Sequence, residues 1–156
     1  MSIRLATKSD AEIISKLVID SSLTVKDQDF SDDGWALLER TNTIDAVSKR
    51  FESETYFALI FDVQGVPAGY LAMVDYEKID HMFVMPEYRN RGIAKSLWHK
   101  AQAICLRNKS ASYFWVRSSS YAVKVYESFG FRVSGDKQIS NGISFQLLDK
   151  GERKEG

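Results

Sequence analysis

The spacing of hydrophobic positions changes along the chain between helical and strand patterns. A short apolar run at 3–6 predicts a first strand, and apolar residues recurring at helical spacing over 8–21 predict an amphipathic helix. The polar stretch 22–33 is predicted to be a loop. Further helices are predicted over 34–40, 43–51, 92–108 and 121–129.

Runs rich in β-branched and aromatic residues predict the remaining strands. The segments 56–63 and 66–74, joined at Gln64-Gly65, are predicted to form a hairpin. Further strands are predicted over 79–85, 113–116, 131–134 and 144–148. This order of strands and helices predicts one α/β domain with a mixed sheet over residues 1–149, followed by a charged tail at 150–156.

Composition narrows the class of protein. Lys plus Arg and Asp plus Glu both number 21, so the formal net charge is zero and gives no indication of nucleic-acid or membrane binding. The single cysteine, Cys105, excludes an intramolecular disulfide and fits a reducing compartment. No secretory signal and no apolar run of the roughly 18 residues that span a bilayer are present. The two isolated histidines predict no metal site. We therefore expect a cytoplasmic protein, with a homodimer left open.

The stretch PEYRNRGIAKSL joins a predicted strand to the longest predicted helix and contains two arginines beside a glycine. The first N–H groups of a helix lack intrahelical partners, and the helix dipole adds positive charge there, so the turn predicts an anion site suited to phosphate. Arg89 and Arg91 would add charge-assisted hydrogen bonds. Gly92 would let the backbone approach the ligand, and the small Ala94 would keep the entry open. A basic surface turn without a ligand is the alternative.

Two segments carry a resemblance to a known family. The stretch FVMPEYRNRGIA resembles the acetyl-CoA motif of the GNAT superfamily of N-acetyltransferases, V-x-P-x-x-[RQ]-x-x-G-x-[GA]. The matching residues are Val84, Pro86, Arg89, Gly92 and Ala94. The segment 116–131, VRSSSYAVKVYESFGF, is similar to a second conserved segment of the family. Its matching residues are Ser119, Ala122, Tyr126, Gly130 and Phe131. Ser119 departs from the more common asparagine, which affects one hydrogen bond to the pantetheine arm.

The resemblance implies the GNAT fold, a mixed central sheet of about seven strands flanked by helices. Acetyl-CoA, the acetyl donor, would lie between two splayed parallel strands, 79–84 and 113–116. Its pantetheine amides would bond to free backbone groups near Phe83 and Val84. The predicted pyrophosphate site consists of Arg89 and the backbone N–H groups of Arg91, Gly92, Ile93, Ala94 and Lys95.

The implied activity is direct transfer of acetyl to a primary amine of a small molecule or peptide. Tyr126 matches the tyrosine whose hydroxyl faces the thioester sulfur in the family, although core packing is the alternative. With a pKa of about 10, a phenol is a weaker acid than a thiol at about 8.5. Asp80 and His81 are candidate bases, with Glu77 just before them. In a regular strand Asp80 and His81 face opposite sides, so at most one faces the cleft. Deprotonation through water, with no single base, is the alternative.

Four acidic residues in the predicted loop bear on the acceptor. They are Asp27, Asp29, Asp32 and Asp33. An acidic rim suits a cationic amine, whereas a solvated surface run is the alternative. The rival function is a non-catalytic module that binds acetyl-CoA as a sensor or docks a partner. The presence of Tyr126 together with the complete turn favours the enzyme.

Overall fold

The computed structural model describes residues 2–109 and 112–152. The strands are Ser2–Leu5 (β1), Tyr56–Val63 (β2), Val66–Val74 (β3), Lys78–Val84 (β4), Phe114–Ser118 (β5), Arg132–Val133 (β6), Gln138–Ser140 (β7) and Ile143–Lys150 (β8). The helices are Ala11–Ser22 (α1), Lys26–Asp29 (α2), Asp32–Thr41 (α3), Ile44–Arg50 (α4), Ile93–Asn108 (α5) and Val123–Ser128 (α6). None of the helices in the described ranges has the length and apolar character that a membrane crossing requires.

The strands form one mixed sheet in the order β1-β2-β3-β4-β5-β8-β6, with β7 added beside β8. All described pairings are antiparallel except that of β4 with β5. These two strands pair only at Lys78 with Trp115 and Ile79 with Val116, and then separate. The predicted mixed sheet and the splayed parallel strands are therefore confirmed, and the splay leaves a gap in the middle of the sheet.

Two apolar cores cover the two faces of the sheet. On one face, buried residues of α5 such as Trp98 and Ala101 pack against Leu71 and Met73 of β3. On the other face, buried residues of α1, α3 and α4 pack against the alternate positions of β2 and β3, including Tyr70. Strand alternation explains why neighbouring residues of β3 belong to different cores. Among the described residues, the core on the α1 face reaches β2, β3 and β4 but includes no residue of β5 or β8.

The prediction of a loop over 22–33 is wrong, because most of this segment is helical. A 3₁₀ turn over Leu23–Val25 continues α1, α2 follows, and Ser31 caps α3 by accepting a hydrogen bond from the Gly34 N–H at 3.1 Å. A Cβ atom at Gly34 would lie 2.1 Å from the carbonyl oxygen of Gly142. The glycine therefore allows α3 to approach the turn between β7 and β8, a contact that local polarity does not indicate.

Two differences concern the C-terminal third. The predicted turn after β6 contains the additional strand β7, which pairs with β8 through Gln138 and Phe145. Lys150, placed in the predicted tail, ends β8 and pairs with Phe114. The tail residues 153–156 lie outside the described residues.

Candidate active site

A cavity of about 240 Å³ opens where β4 and β5 separate. Its walls come from β4, the turn after it, the start of α5, the segment after β5, α6 and the 3₁₀ turn after α1. The predicted cofactor residues in these walls are Phe83, Val84, Arg89, Gly92, Ile93, Ala94, Lys95 and Ser119. The structure also places residues there that the motif did not indicate. They include Thr24, Met82, Tyr88, Asn90, Tyr121 and Val125.

The N-terminus of α5 forms one end of this cavity. Gly92 caps the 16-residue helix with a left-handed backbone, φ +79°. Ser96 donates its N–H to the Gly92 carbonyl at 3.0 Å, so the N–H groups over 93–95 precede the first intrahelical bond. A Cβ atom at Gly92 would meet nothing within 4 Å. Its φ angle and the open space beside it, rather than packing, therefore account for the glycine.

The backbone of β4 forms the side of the cavity, and its direction follows from one hydrogen bond. The Met85 N–H donates to the Ala68 carbonyl of β3 at 2.8 Å. Backbone groups of a strand point alternately to either side, so those of Phe83 also face β3, whereas the N–H groups of Met82 and Val84 face the gap. Phe83 therefore differs from the expectation. It is among the cavity residues, but its backbone groups are directed to β3 and its ring packs on Tyr70.

The two arginines of the turn have different environments. Arg89 donates from Nε to the Val84 carbonyl at 3.0 Å and from Nη1 to the Thr24 hydroxyl at 3.3 Å. It therefore joins the end of β4 to the turn after α1 and occupies the Val84 carbonyl, one of the carbonyls that face the gap. Arg91 is exposed, and its guanidinium lies over the Tyr88 ring at 5.4 Å. Because Tyr88 is in the wall, Arg91 lies at the rim of the cavity.

Ser119 begins the turn that leads into α6. Its hydroxyl oxygen accepts the N–H of Ala122 at 3.3 Å, and its carbonyl accepts the Ser118 hydroxyl at 2.7 Å. The Ser119 hydroxyl proton is not used in these bonds. The departure from asparagine therefore leaves one donor facing the cavity, in a turn stabilised by the same side chain.

Tyr126, the predicted acid, lies behind the cavity wall. The side chain is 3% exposed, and its ring packs edge-on against Phe129 and Phe131 at 6.3 and 5.8 Å between centroids. Its helical neighbours Ala122 and Val125 line the cavity together with Phe129. Burial raises the pKa of Tyr126 well above that of an exposed phenol, which makes proton transfer to a thiolate more uphill.

A bulge in β4 changes the expected positions of the candidate bases. Ala72 pairs with His81 and Met73 with Ile79, so Asp80 is the extra residue and has no partner in β3. The expectation of opposite faces for Asp80 and His81 holds only in a regular strand, and the bulge shows that β4 is not regular. Asp80 Oδ2 lies 4.0 Å from Nδ1 of His81, and both side chains are on the α1 face of the sheet.

The His81 ring is held in its neutral form, with Nδ1 accepting a hydrogen bond and the proton on Nε2. Its Nδ1 lies 2.6 Å from the hydroxyl of Tyr70, which is fully buried and has no other hydrogen-bond partner among the described residues. A buried O–H without an acceptor is costly, so Tyr70 donates, Nδ1 accepts and the ring proton is on Nε2. Burial lowers the pKa of His81 to about 4. This tautomer has no free lone pair on Nε2, which disfavours His81 as the base.

The two carboxylates near the start of β4 also differ. Asp80 forms a loose pair with Lys78, at 3.6 Å, and its side chain is 21% exposed. Glu77 accepts hydrogen bonds from Trp115 Nε1 at 3.0 Å and from Lys109 Nζ at 3.3 Å. Glu77 thus braces the paired end of β4 and β5. Asp80 is thus the less strongly bonded of the two carboxylates. The residues that line the cavity do not include the candidate bases Asp80, His81 and Glu77.

Of the four acidic residues predicted to form a rim, Asp29, Asp32 and Asp33 have structural roles. Asp29 is 2% exposed, accepts the Ser120 N–H at 3.0 Å and lies 3.8 Å from Lys137 Nζ. Asp32 and Asp33 occupy the first turn of α3, where carboxylates stabilise the helix dipole. Asp29 therefore ties α2 to the segment that carries Ser119 rather than facing an acceptor.

This chain is similar to a known protein family and to solved structures. A family model described as an acetyltransferase (GNAT) domain matches residues 26–150. No curated protein sequence matches the chain. A GCN5-related N-acetyltransferase structure from Rhodopseudomonas palustris is 19% identical and covers 97% of this chain and 95% of its own, with a TM-score of 0.82. The PaiA N-acetyltransferase from Thermoplasma acidophilum, solved with coenzyme A, is 16% identical and covers 97% and 100%, with a TM-score of 0.79. At these identities the two structures show a common fold.

Proposed function

Since this chain belongs to the GNAT family of acetyltransferases, we propose that it moves an acetyl group from acetyl-CoA to a primary amine of a small molecule or peptide. The amine nitrogen would attack the thioester carbonyl carbon, the C–S bond would break, and the amine proton would be lost to a base. The leaving thiolate would take up a proton. The observation that carries this proposal is the cavity between β4 and β5, which has free backbone N–H groups at its helical end and along its side.

The residues present fit acetyl-CoA. The N–H groups over 93–95 and the rim guanidinium of Arg91 suit the pyrophosphate, because several donors and a positive dipole end meet there. The Val84 N–H and the Ser119 hydroxyl suit the pantetheine amides. Apolar walls such as Val125 suit the methylene segments of the arm.

The same groups account for the proposed chemistry. An N–H of Met82 or Val84 that faces the gap would stabilise the oxyanion that develops at the carbonyl. Asp80 would accept the amine proton through water, because it lies outside the cavity wall and its pairing with Lys78 is loose. Tyr126 is the proposed acid for the leaving thiolate, because its helical neighbours Ala122 and Val125 and its ring contact Phe129 all line the cavity.

Replacing Tyr126 with phenylalanine tests the proposed acid. Because the ring packing is kept and only the hydroxyl is removed, we expect kcat to fall by about 100-fold or more while the Kd for acetyl-CoA changes little. Steady-state kinetics and calorimetry measure the two quantities. Tyr76→Phe, whose ring packs on Phe57 away from the cavity, is the matched control. A kcat equal to that of the wild type would remove Tyr126 from the mechanism.

The alternative function is binding of acetyl-CoA without transfer. The deep burial of Tyr126 and its raised pKa favour this alternative. Release of the CoA thiol, followed with a thiol reagent across a panel of amines, separates the two functions. Transfer to any amine supports the enzyme, whereas tight binding without turnover on the whole panel supports the binding module. Failure to bind CoA would refute both.

A further inference from the structure

A second cavity of about 280 Å³ lies on the α1 face of the sheet, over β5 and β8. Trp115 and Arg117 of β5, Phe145 of β8 and Glu77 are in its wall. The alternate residues of β5 belong to the α5 core, which places Trp115 and Arg117 on the opposite face. This cavity, named here the arginine cavity, is therefore separate from the core and open to ligands.

The arginine cavity contains an unpaired cation. The Arg117 guanidinium lies over the Phe145 ring at 5.1 Å and over the Trp115 ring at 5.9 Å. Within residues 2–109 and 112–152, no carboxylate forms an ion pair with Arg117. Glu77, in the same wall, is already bound by Trp115 and Lys109. The charged group that remains available to a ligand in this cavity is thus the Arg117 guanidinium, a cation.

The geometry of Arg117 suits a carboxylate. Aromatic rings attract the face of a guanidinium, and the N–H donors at its edges stay available for a planar anion. Arginine binds carboxylates with two parallel hydrogen bonds, a pairing that lysine does not reproduce. Trp115 and Phe145 also provide apolar surface beside the charge. A ligand with a carboxylate next to an apolar or aromatic group therefore matches this cavity.

The arginine cavity adjoins the site of transfer along β5. Arg117 precedes Ser119, a wall residue of the first cavity, by two positions, which at about 3.3 Å per residue is roughly 7 Å. An acceptor amine at the splay and a carboxylate at Arg117 would thus be several bonds apart in one molecule. The spacing is suited to a short peptide better than to the two groups of a single α-amino acid.

We propose that the arginine cavity binds the carboxylate of the acetyl acceptor, so that the acceptor class is an amine with a free carboxylate, such as a short peptide with an apolar C-terminal residue. This inference rests on the proposed acetyltransferase function and adds the substrate class. It takes the place of the cationic amine suggested by a predicted acidic rim, since Asp29 of that rim is buried and bound by Ser120.

Matched acids and amides test the inference. For glycylphenylalanine against glycylphenylalaninamide, we expect the acid to have the higher kcat/KM by about 10- to 100-fold. Arg117→Gln should abolish this preference, because it removes the charge and the paired N–H donors, while the Kd for acetyl-CoA stays unchanged. Arg107→Gln, an exposed arginine of α5, is the matched control and should keep the preference. Thermal unfolding checks that the variants are folded.

A binding measurement separates failure of this inference from failure of the proposed function. Calorimetry with N-acetyl-glycylphenylalanine and its amide, in the presence of CoA, requires no turnover. Preferential binding of the acid that is lost in Arg117→Gln supports the carboxylate site even if no amine is acetylated, an outcome that would refute the function alone. Acetylation or binding that is equal for acid and amide in the wild-type protein would overturn the inference and leave the acetyltransferase proposal intact.

Discussion

The turn after β4 and the bulge within β4 are both polar, yet they use their polar groups in opposite ways. At the turn, Gly92 and the start of α5 leave the N–H groups over 93–95 without intrahelical partners beside an open cavity. At the bulge, Asp80 and His81 face Tyr70 and Lys78, and burial keeps the histidine neutral. The difference suggests that donors left free beside a cavity indicate a ligand site, whereas at the bulge Tyr70 and His81 satisfy each other and only Asp80 is loosely paired.

The region around the bulge also contains buried polar atoms that lack hydrogen-bond partners among the described residues. Arg50, at the end of α4, donates from Nη2 to the Asn42 side-chain oxygen at 2.9 Å and to the Thr41 carbonyl. Its Nη1 and the Tyr56 hydroxyl are buried without hydrogen-bond partners among the described residues. Burial raises the pKa of Tyr56 to about 12. These two unpaired groups lower the free energy of unfolding. At the turn, by contrast, the left-handed backbone of Gly92 leaves the N–H groups over 93–95 free beside an open cavity.

Among the changes that test the difference between the turn and the bulge, charge reversal at Arg91 is expected to have the largest effect, on the affinity for CoA. Arg91→Glu replaces a cation at the rim with an anion, so we expect the affinity for CoA to fall by about 100-fold. The free energy of unfolding should stay within about 0.5 kcal/mol, because the side chain is exposed. Calorimetry and urea unfolding measure these effects, with Arg107→Glu on α5 as the control. Normal CoA affinity in Arg91→Glu would contradict the proposed role of the turn.

The turn could be predicted from sequence because its information is contiguous. A strand end, a glycine and a helix start within a few residues predict an anion site without any distant partner, and the structure places Val84, Gly92 and Ala94 in the cavity wall. The bulge could not be predicted, since it arises from the register of β3 against β4. Strand periodicity alone placed Asp80 and His81 on opposite faces, and only the pairing of Ala72 with His81 shows otherwise.

The contacts of distant side chains were equally inaccessible. Asp29 and Ser120 are 91 positions apart, so their hydrogen bond could not be read from the polar stretch that contains Asp29. Likewise, the pattern of the turn gave Arg89 and Arg91 the same role. The structure separates them, because Arg89 alone reaches back to the Val84 carbonyl.

The acid sensitivity of the fold should come from the bulge rather than the turn. The pKa of His81 is about 4 in the folded protein and about 6.5 in an unfolded chain, so the unfolded state binds more protons between these values. The stabilising contribution is present in full above pH 6.5 and is lost as the pH falls towards 4. Lowering the pH from 7 to 5 should therefore reduce the free energy of unfolding by about 2 kcal/mol.

Urea unfolding of wild-type protein and His81→Gln across this range isolates the effect. The variant removes the titrating ring, so the contribution of His81 is the difference between the two pH slopes. His99→Gln, on the exposed surface of α5, is the control for loss of a histidine. Staying above pH 5 avoids the range in which Asp10, whose pKa is lowered by hydrogen bonds from Arg4 and Thr7 despite its burial, is protonated. Equal slopes in wild-type protein and His81→Gln would show that the ring is not held neutral by the fold.

The smallest expected effect compares the two buried tyrosines of the bulge region. Tyr56→Phe removes a hydroxyl that has no partner, so it should raise the free energy of unfolding by about 1 kcal/mol. Tyr70→Phe removes the donor to His81 Nδ1 and should lower it by a similar amount, about 1 kcal/mol. Both changes keep the ring and its packing, so urea unfolding reports the hydroxyl alone. A lower free energy of unfolding in Tyr56→Phe would mean that the Tyr56 hydroxyl is bonded in solution, with the nearby Arg50 guanidinium as its partner.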